Sequence, residues 1–176
     1  MRKMIHPGRA GVLAFFIAVA VLLTAPVADA AKVQIPEGTA VKVSFPSTIK
    51  ISSSELGEGI PILFNLAEPI EIGGKVIVEK GATGTAVVKE VKKAGKGGKP
   101  GKIVLEFVDL APKGTFLTLD GENVKLKGVI TAEGKGKKTL SYLFIFGLFI
   151  KGGQGEIPTD KIYTATVAES VILEEK

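Results

Sequence analysis

The chain has no cysteine and no tryptophan, and beyond residue 30 it also has no histidine, methionine or arginine. His6, Met1, Met4, Arg2 and Arg9 all lie close to the N-terminus. The stretch 31–176 therefore carries no imidazole, thiol, thioether or guanidinium. That removes the usual general base near neutral pH, the usual zinc and copper ligands and thiolate chemistry. It also removes the bidentate arginine clamp on phosphate. Catalysis would have to rest on a carboxylate pair or a Ser–Lys pair.

Both are weakly represented. Ser47-Thr48-Ile49-Lys50 fits the S-x-x-K nucleophile motif, which must open a helix and be accompanied by S-D-N and K-T-G. Here it lies between Pro46 and Ile51 in strand-like sequence, S-D-N is missing, and Lys113-Gly114-Thr115 has the third motif out of order. Glu55 and Glu58 are the carboxylate candidates, and charged turn residues explain them as well. A protein that is not an enzyme is expected, with no cofactor and at most weak calcium binding through the few oxygen ligands.

What is present first is a leader. Arg2, Lys3 and Arg9 precede an apolar run over residues 10–23, Pro26 breaks it, and Ala28-Asp29-Ala30 follows. This is the form of a secretory signal peptide cleaved after residue 30. Retention as a membrane anchor is the alternative, although the run is short against the roughly 20 residues of a span. Export gives the missing cysteine a meaning: the mature protein is not a disulfide scaffold and needs an ordinary core. Of the 23 basic and 18 acidic side chains, the leader holds three and one, leaving 20 against 17. The remaining cations are lysines spread widely along the chain, which does not describe a dedicated nucleic-acid binder. The expected domains are a leader over 1–30, a β-domain over 31–170 and a charged C-terminal tail over 171–176.

Helical periodicity is nearly absent, whereas period-2 alternation and Gly/Pro punctuation recur. Val41, Val43 and Phe45 alternate with Lys42 and Ser44; Ile62, Phe64 and Leu66 follow Pro61 at the same spacing, and Ile103, Leu105 and Phe107 alternate with Val104, Glu106 and Val108. Val76 and Val78, Phe116 to Leu119, Val124 with Leu126, and Ile162 to Val167 make further short strands. The pattern predicts an all-β fold: a single antiparallel β-barrel or sandwich of short strands. An α+β fold stays open because residues 52–56 can form one helical turn. Ile35-Pro36-Glu37-Gly38, Val78-Glu79-Lys80-Gly81 and Ile157-Pro158-Thr159-Asp160 each precede a strand. Proline at i+1 and glycine at i+3 of the first suit a type I turn. Three similar turns without common descent explain the recurrence as well as a true repeat does.

In order along the chain come Ile35-Pro36-x-Gly38-Thr39, Gly59-Ile60-Pro61-Ile62-x-Phe64, Ile70-x-Ile72-x-Gly74 and Val78-x-Lys80-Gly81-Ala82-x-x-Gly84. Gly98-Lys99-Pro100-Gly101-Lys102, Asp120-Gly121-x-x-Val124-x-Leu126-x-Gly128 and Lys151-Gly152 before Ile157-Pro158 complete the series. This order resembles a group of exported bacterial β-domains that are similar to the C-terminal β-barrel of TrbI-type scaffold proteins of type IV secretion and conjugation. The resemblance implies a β-barrel in the periplasm or at the outer membrane, with a structural or assembly role. The chain departs from those scaffolds in having a cleavable leader and almost no linker, so fold transfers better than function.

Two segments stand out as contact candidates. Residues 140–150 are apolar on both faces and include Leu143, Phe144, Phe146, Leu148 and Phe149. They are too few for a spanning helix, and a lone strand cannot span. Three readings stay open: a buried core element, an interface with another copy or an envelope partner, or a membrane-dipping loop with flanking lysines at the headgroups. The second segment, residues 92–102, carries Lys92, Lys93, Lys96, Lys99 and Lys102 among glycines, and Lys135, Lys137 and Lys138 form a smaller relative. The spacing fits neither phosphate-loop motif: Ile103 stands where Ser or Thr is needed, and Pro100 where GxGxxG needs its third glycine. A solvated hairpin loop is one reading; a site for lipid phosphates or acidic glycans is the other. Aromatics for stacking nucleic-acid bases are missing from both loops.

Overall fold

The computed structural model describes residues 31–135 and 152–176, which belong to one compact unit, Ala31–Lys176. The leader, the apolar stretch with Leu143, Phe144, Phe146, Leu148 and Phe149, and the lysines Lys137 and Lys138 lie outside the described residues. The strands are β1 (Lys32–Ile35), β2 (Ala40–Ser44), β3 (Ile51–Ser52), β4 (Pro61–Leu66), β5 (Ile70–Ile72), β6 (Lys75–Val78) and β7 (Thr83–Lys92). They continue as β8 (Lys102–Leu110), β9 (Phe116–Thr118), β10 (Val124–Lys127), β11 (Val129–Glu133), β12 (Glu156–Ile157), β13 (Ile162–Val167) and β14 (Val171–Glu175). Among the described residues there is no helix; at residues 52–56 the backbone makes one turn, with Glu55 and Leu56 both donating to the Ser52 carbonyl.

Six strands close a barrel. Going round, β2 pairs with β4, β4 with β7, β7 with β8, β8 with β10, β10 with β13, and β13 returns to β2, every pair antiparallel. The alternation read from the sequence sets the inward faces: Val41 and Val43, Ile62, Phe64 and Leu66, and Ile103, Leu105 and Phe107 are all buried. Six strands enclose less room than the eight at which a barrel interior is just filled by side chains. The interior is accordingly a solid core. Phe64 stands in it edge-on to Phe45 (6.4 Å between ring centres) and to Phe107 (5.3 Å), a preferred geometry for aromatic pairs. Gly84 faces Phe64 across the β4–β7 pair, and a methyl group there would lie 2.2 Å from the Phe64 ring.

Three small sheets add side chains to the same core. They are β1–β14–β9, the β5–β6 hairpin and the β3–β12 pair, contributing among others Ile35, Leu173, Ile77 and Ile51. The first overturns the expected charged tail over 171–176. Val171, Ile172 and Leu173 alternate like a strand; β14 pairs with β1 and β9, and Leu173 is fully buried. The burial of Leu173 and two ladders of hydrogen bonds outweigh the terminal Glu-Glu-Lys.

Two further expectations are corrected. The first turn is one residue out of register with the type I reading. Thr39 N–H donates to the Pro36 carbonyl, and Gly38 has φ +81°, which is the type II arrangement with glycine at i+2. Glu79 to Ala82 repeats it, with Ala82 N–H on the Glu79 carbonyl and Gly81 at φ +82°. The third copy, at Pro158, has no glycine and no left-handed residue, so it bends without that turn. In β6 it is Ile77 and Val78 that are buried while Val76 is exposed. A register shift against β5 between Ile70 and Glu71 inserts Ile77 as an extra residue and reverses the face.

One strand is shared between barrel and arm. The Leu110 end of β8 pairs with β10 inside the barrel, and its Lys102 end pairs with β11. Gly128 turns β10 into β11, and Phe107 N–H donates to its carbonyl. Strands β7, β8 and β11 thus carry the lysine–glycine loop out to one end of the molecule.

Candidate functional site

At that end the backbone is joined through glycines. Gly134 N–H donates to the Gly101 carbonyl (2.8 Å), Gly101 N–H to that of Gly153 (2.9 Å) and Gly153 N–H to that of Lys135 (2.9 Å). These bonds tie the loop 92–102 to both sides of the segment lying between Lys135 and Gly152. Beneath them Ser53, wholly buried, donates from Oγ to Gln154 Oε1 (2.7 Å) and accepts from Gly155 N–H (3.0 Å). Gln154 Oε1 also accepts Ala94 N–H at 3.0 Å. Every buried side-chain polar atom among the described residues has a partner, as buried polar groups require.

Glycine is needed here for close approach. A Cβ at Gly134 would lie 1.9 Å from the Gly153 carbonyl oxygen, one at Gly152 2.1 Å from that of Lys99, and one at Gly101 2.5 Å from Ser53 Oγ. None of these three has a left-handed φ. They form a collar in which the chains are too close for any side chain.

The collar collects charge. The lysines are spread along the sequence, and the fold brings the described ends of the second lysine–glycine segment, at Gly134–Lys135 and Gly152–Gly155, to the first. Residues 92–102 and 134–155 hold nine lysines, of which Lys137, Lys138 and Lys151 lie outside the described residues; Glu133 and Glu156 directly flank the second segment, and the charges of Glu133 and Glu58 reach Lys92. Lys92 and Lys102 both reach Glu90 at 2.9 Å, and their hydrogen bonds, Lys102's first, hold its carboxyl down at about 2. The same contact raises the Lys92 ammonium above its ordinary value. Lys93, Lys96, Lys99 and Lys135 are exposed and make no ion pair among the described residues.

The catalytic candidates are each engaged separately, and Glu58 lies beside the collar. Ser47 sits in a turn closed by Ile49 N–H on the Pro46 carbonyl, and opens no helix. Lys50 is bound to Glu55 at 3.1 Å, whose hydrogen bond and charge raise its pKa, the wrong direction for a base. Glu58 accepts Val91 N–H instead of facing Glu55. Among the described residues no three His, Cys, Asp or Glu side chains gather in a way that could hold a metal. A cleft of about 740 Å³ lies toward the Leu110 end of β8, between Phe107, Val108, Asp109, Glu122 and Leu126, and none of the candidate lysines lines it.

Ser53 and Gln154 were not legible as site residues, because a single serine in Ser52-Ser53-Ser54 carries no pattern. The glycine density of both segments was the available signal. Comparison with protein-family models, curated proteins and solved structures found no match to this chain, so the likeness of its turn order to TrbI-type barrels draws no support from them.

Proposed function

We propose that this chain is a non-enzymatic, exported protein of the bacterial envelope, a structural or assembly barrel that makes its attachment through the lysine collar. One observation supports this above the others: the barrel interior is filled, while lysines of two distant segments, four of them unpaired among the described residues, are gathered on one end by a backbone built for that junction. The leader motif at residues 1–30 supports export. A second reading, a monomeric binding module for an anionic envelope ligand (lipid phosphate or acidic glycan), draws on the same charge.

Cell fractionation with intact mass spectrometry tests the first reading. Protein in the periplasm or outer-membrane fraction, beginning at Ala31 or within a residue or two, is the expected result. A cytoplasmic product retaining Met1 contradicts it. Light scattering after size-exclusion chromatography then separates the two readings: a defined oligomer or envelope complex supports the assembly role, and a monomer that binds lipid A or an acidic polysaccharide supports the module.

A further inference from the structure

We infer that the tip of the loop 92–102 docks into the cleft beside β8 of a second copy, joining barrels head to tail. This rests on the assembly reading and names a partner for the collar's loop. The cleft opens where β8 is divided between two neighbours. Its Asp109 and Leu110 pair with β10, its residues up to Glu106 pair with β11, and Val108 is the extra residue of a bulge against β7. The gap, about 740 Å³, is lined by Phe107, Val108 and Leu126, and lies within the roughly 300–1,000 Å³ of ligand clefts. Glu106, Asp109 and Glu122 also line it, and Asp120 and Glu169 line the hollow beside it. Lys89 answers Glu106 and Lys125 answers Glu169, both at 2.8 Å, and the charges of Glu122 and Asp120 also reach Lys125. Asp109, Asp120 and Glu122 make no ion pair among the described residues, which leaves the cleft negative.

The loop carries the opposite sign at its tip alone. At its base Glu90 holds Lys92 and Lys102, and the charges of Glu133 and Glu58 reach Lys92. With Lys135, three lysines there meet three carboxylates, and the base is close to neutral. Lys93, Lys96 and Lys99 are exposed and make no ion pair among the described residues. Gly95 N–H donates to the Lys99 carbonyl (3.0 Å), and Gly97 and Gly98 both have φ +72°, so the tip is a narrow, closed turn. A turn ordered before docking loses little entropy on contact. Its lysine stems can lie along the apolar wall while the ammonium groups reach the carboxylates. Both surfaces belong to one chain, at opposite ends of β8, about 23 Å apart from Lys102 to Asp109 at about 3.3 Å per residue. That is nearly three Debye lengths of about 8 Å at physiological salt, so neither end neutralises the other within a copy. A polyanion answers the loop alone; a second copy answers loop and cleft together. The contact joins two different patches, so it propagates as a chain or closes as a ring instead of stopping at a symmetric dimer.

Sedimentation velocity of residues 31–176, a unit with its own core, over a concentration series tests this. The mean mass of the parent should rise past that of a dimer with concentration and fall back in high salt. Lys96→Glu with Lys99→Glu reverses the tip, and Glu122→Lys with Asp120→Asn reverses the rim while keeping an acceptor for the N–H of residue 122. Each double variant alone should associate at least about 100-fold more weakly, since like charges then face each other. An equimolar mixture of the two should assemble again, because every contact in it joins opposite charges. Reversal at the exposed Lys75 and Lys161, which make no ion pair among the described residues, should change association less than about twofold. A parent that stops at a dimer, a tip variant that associates like the parent, or a mixture of stably folded variants that stays dissociated would overturn the contact. If the rim variant melts early, the tip variant and the salt series decide. A parent that is monomeric alone yet recovered in an envelope complex overturns this contact and keeps the assembly role.

Discussion

A methyl group is the smallest probe of the collar. Gly134→Ala places a carbon where the Gly153 carbonyl oxygen already sits, so the junction must open. A loss of about 1–3 kcal/mol, the range for overpacking, is expected in chemical unfolding. Gly97→Ala meets no atom within 4 Å and strains only its left-handed φ of +72°, so it should cost about 1 kcal/mol. Equal effects would mean that close approach is not what glycine supplies at 134. Ser53→Ala leaves Gly155 N–H without its acceptor and Gln154 without one donor, and should cost about 1–3 kcal/mol by the same measurement.

Glu90 gives the acid behaviour a sign. Its pKa is lowered from 4.5 to about 2 by Lys102 and Lys92. A carboxylate held lower when folded than when unfolded stabilises the fold above the unfolded value, and that contribution is lost as pH falls from 4.5 toward 2. Glu90→Gln should therefore flatten the fall of melting temperature in that window, modestly, because the group is still partly open to solvent and salt screens it. An unchanged slope would mean the two ion pairs do not persist in solution.

At the scale of the strand, period-2 alternation was sufficient for Val41–Val43, Ile62–Phe64–Leu66 and Ile103–Leu105–Phe107, because each lies on a wall with one face toward the core. It failed at β6, where a bulge adds Ile77, and at β14, where three charged residues at the end masked a buried leucine. A bulge depends on the partner strand, and a terminal strand depends on two neighbours distant in sequence; neither is local. Leu173→Asp should unfold the domain, since an unpaired buried charge costs several kcal/mol against a total of about 5–15. Retained cooperative melting in that variant would return residues 171–176 to the status of a tail.

Over the whole molecule, each lysine–glycine loop was legible alone, and a positive rim could be expected of them only on the condition that both lie at one end. Gly101 and Gly134 meet only because β8 and β11 pair in one register and run outward together. Phe146 lies outside the described residues, and Phe146→Asp separates the three readings of residues 140–150: unfolding makes them part of the core, whereas a retained β circular-dichroism signal and melting transition with lost oligomerisation or membrane association makes them a contact.

The absence of cysteine allows a direct test in cells, because a single introduced thiol is the only one that a maleimide can label. Lys75→Cys and Lys96→Cys are compared with a membrane-impermeant maleimide after the outer membrane alone is permeabilised. Export with the collar engaged in its attachment predicts rapid labelling at position 75 and protection at position 96, with equal labelling of the two in purified protein. Labelling only after rupture of the inner membrane, or equal labelling of both sites in the envelope, would contradict it.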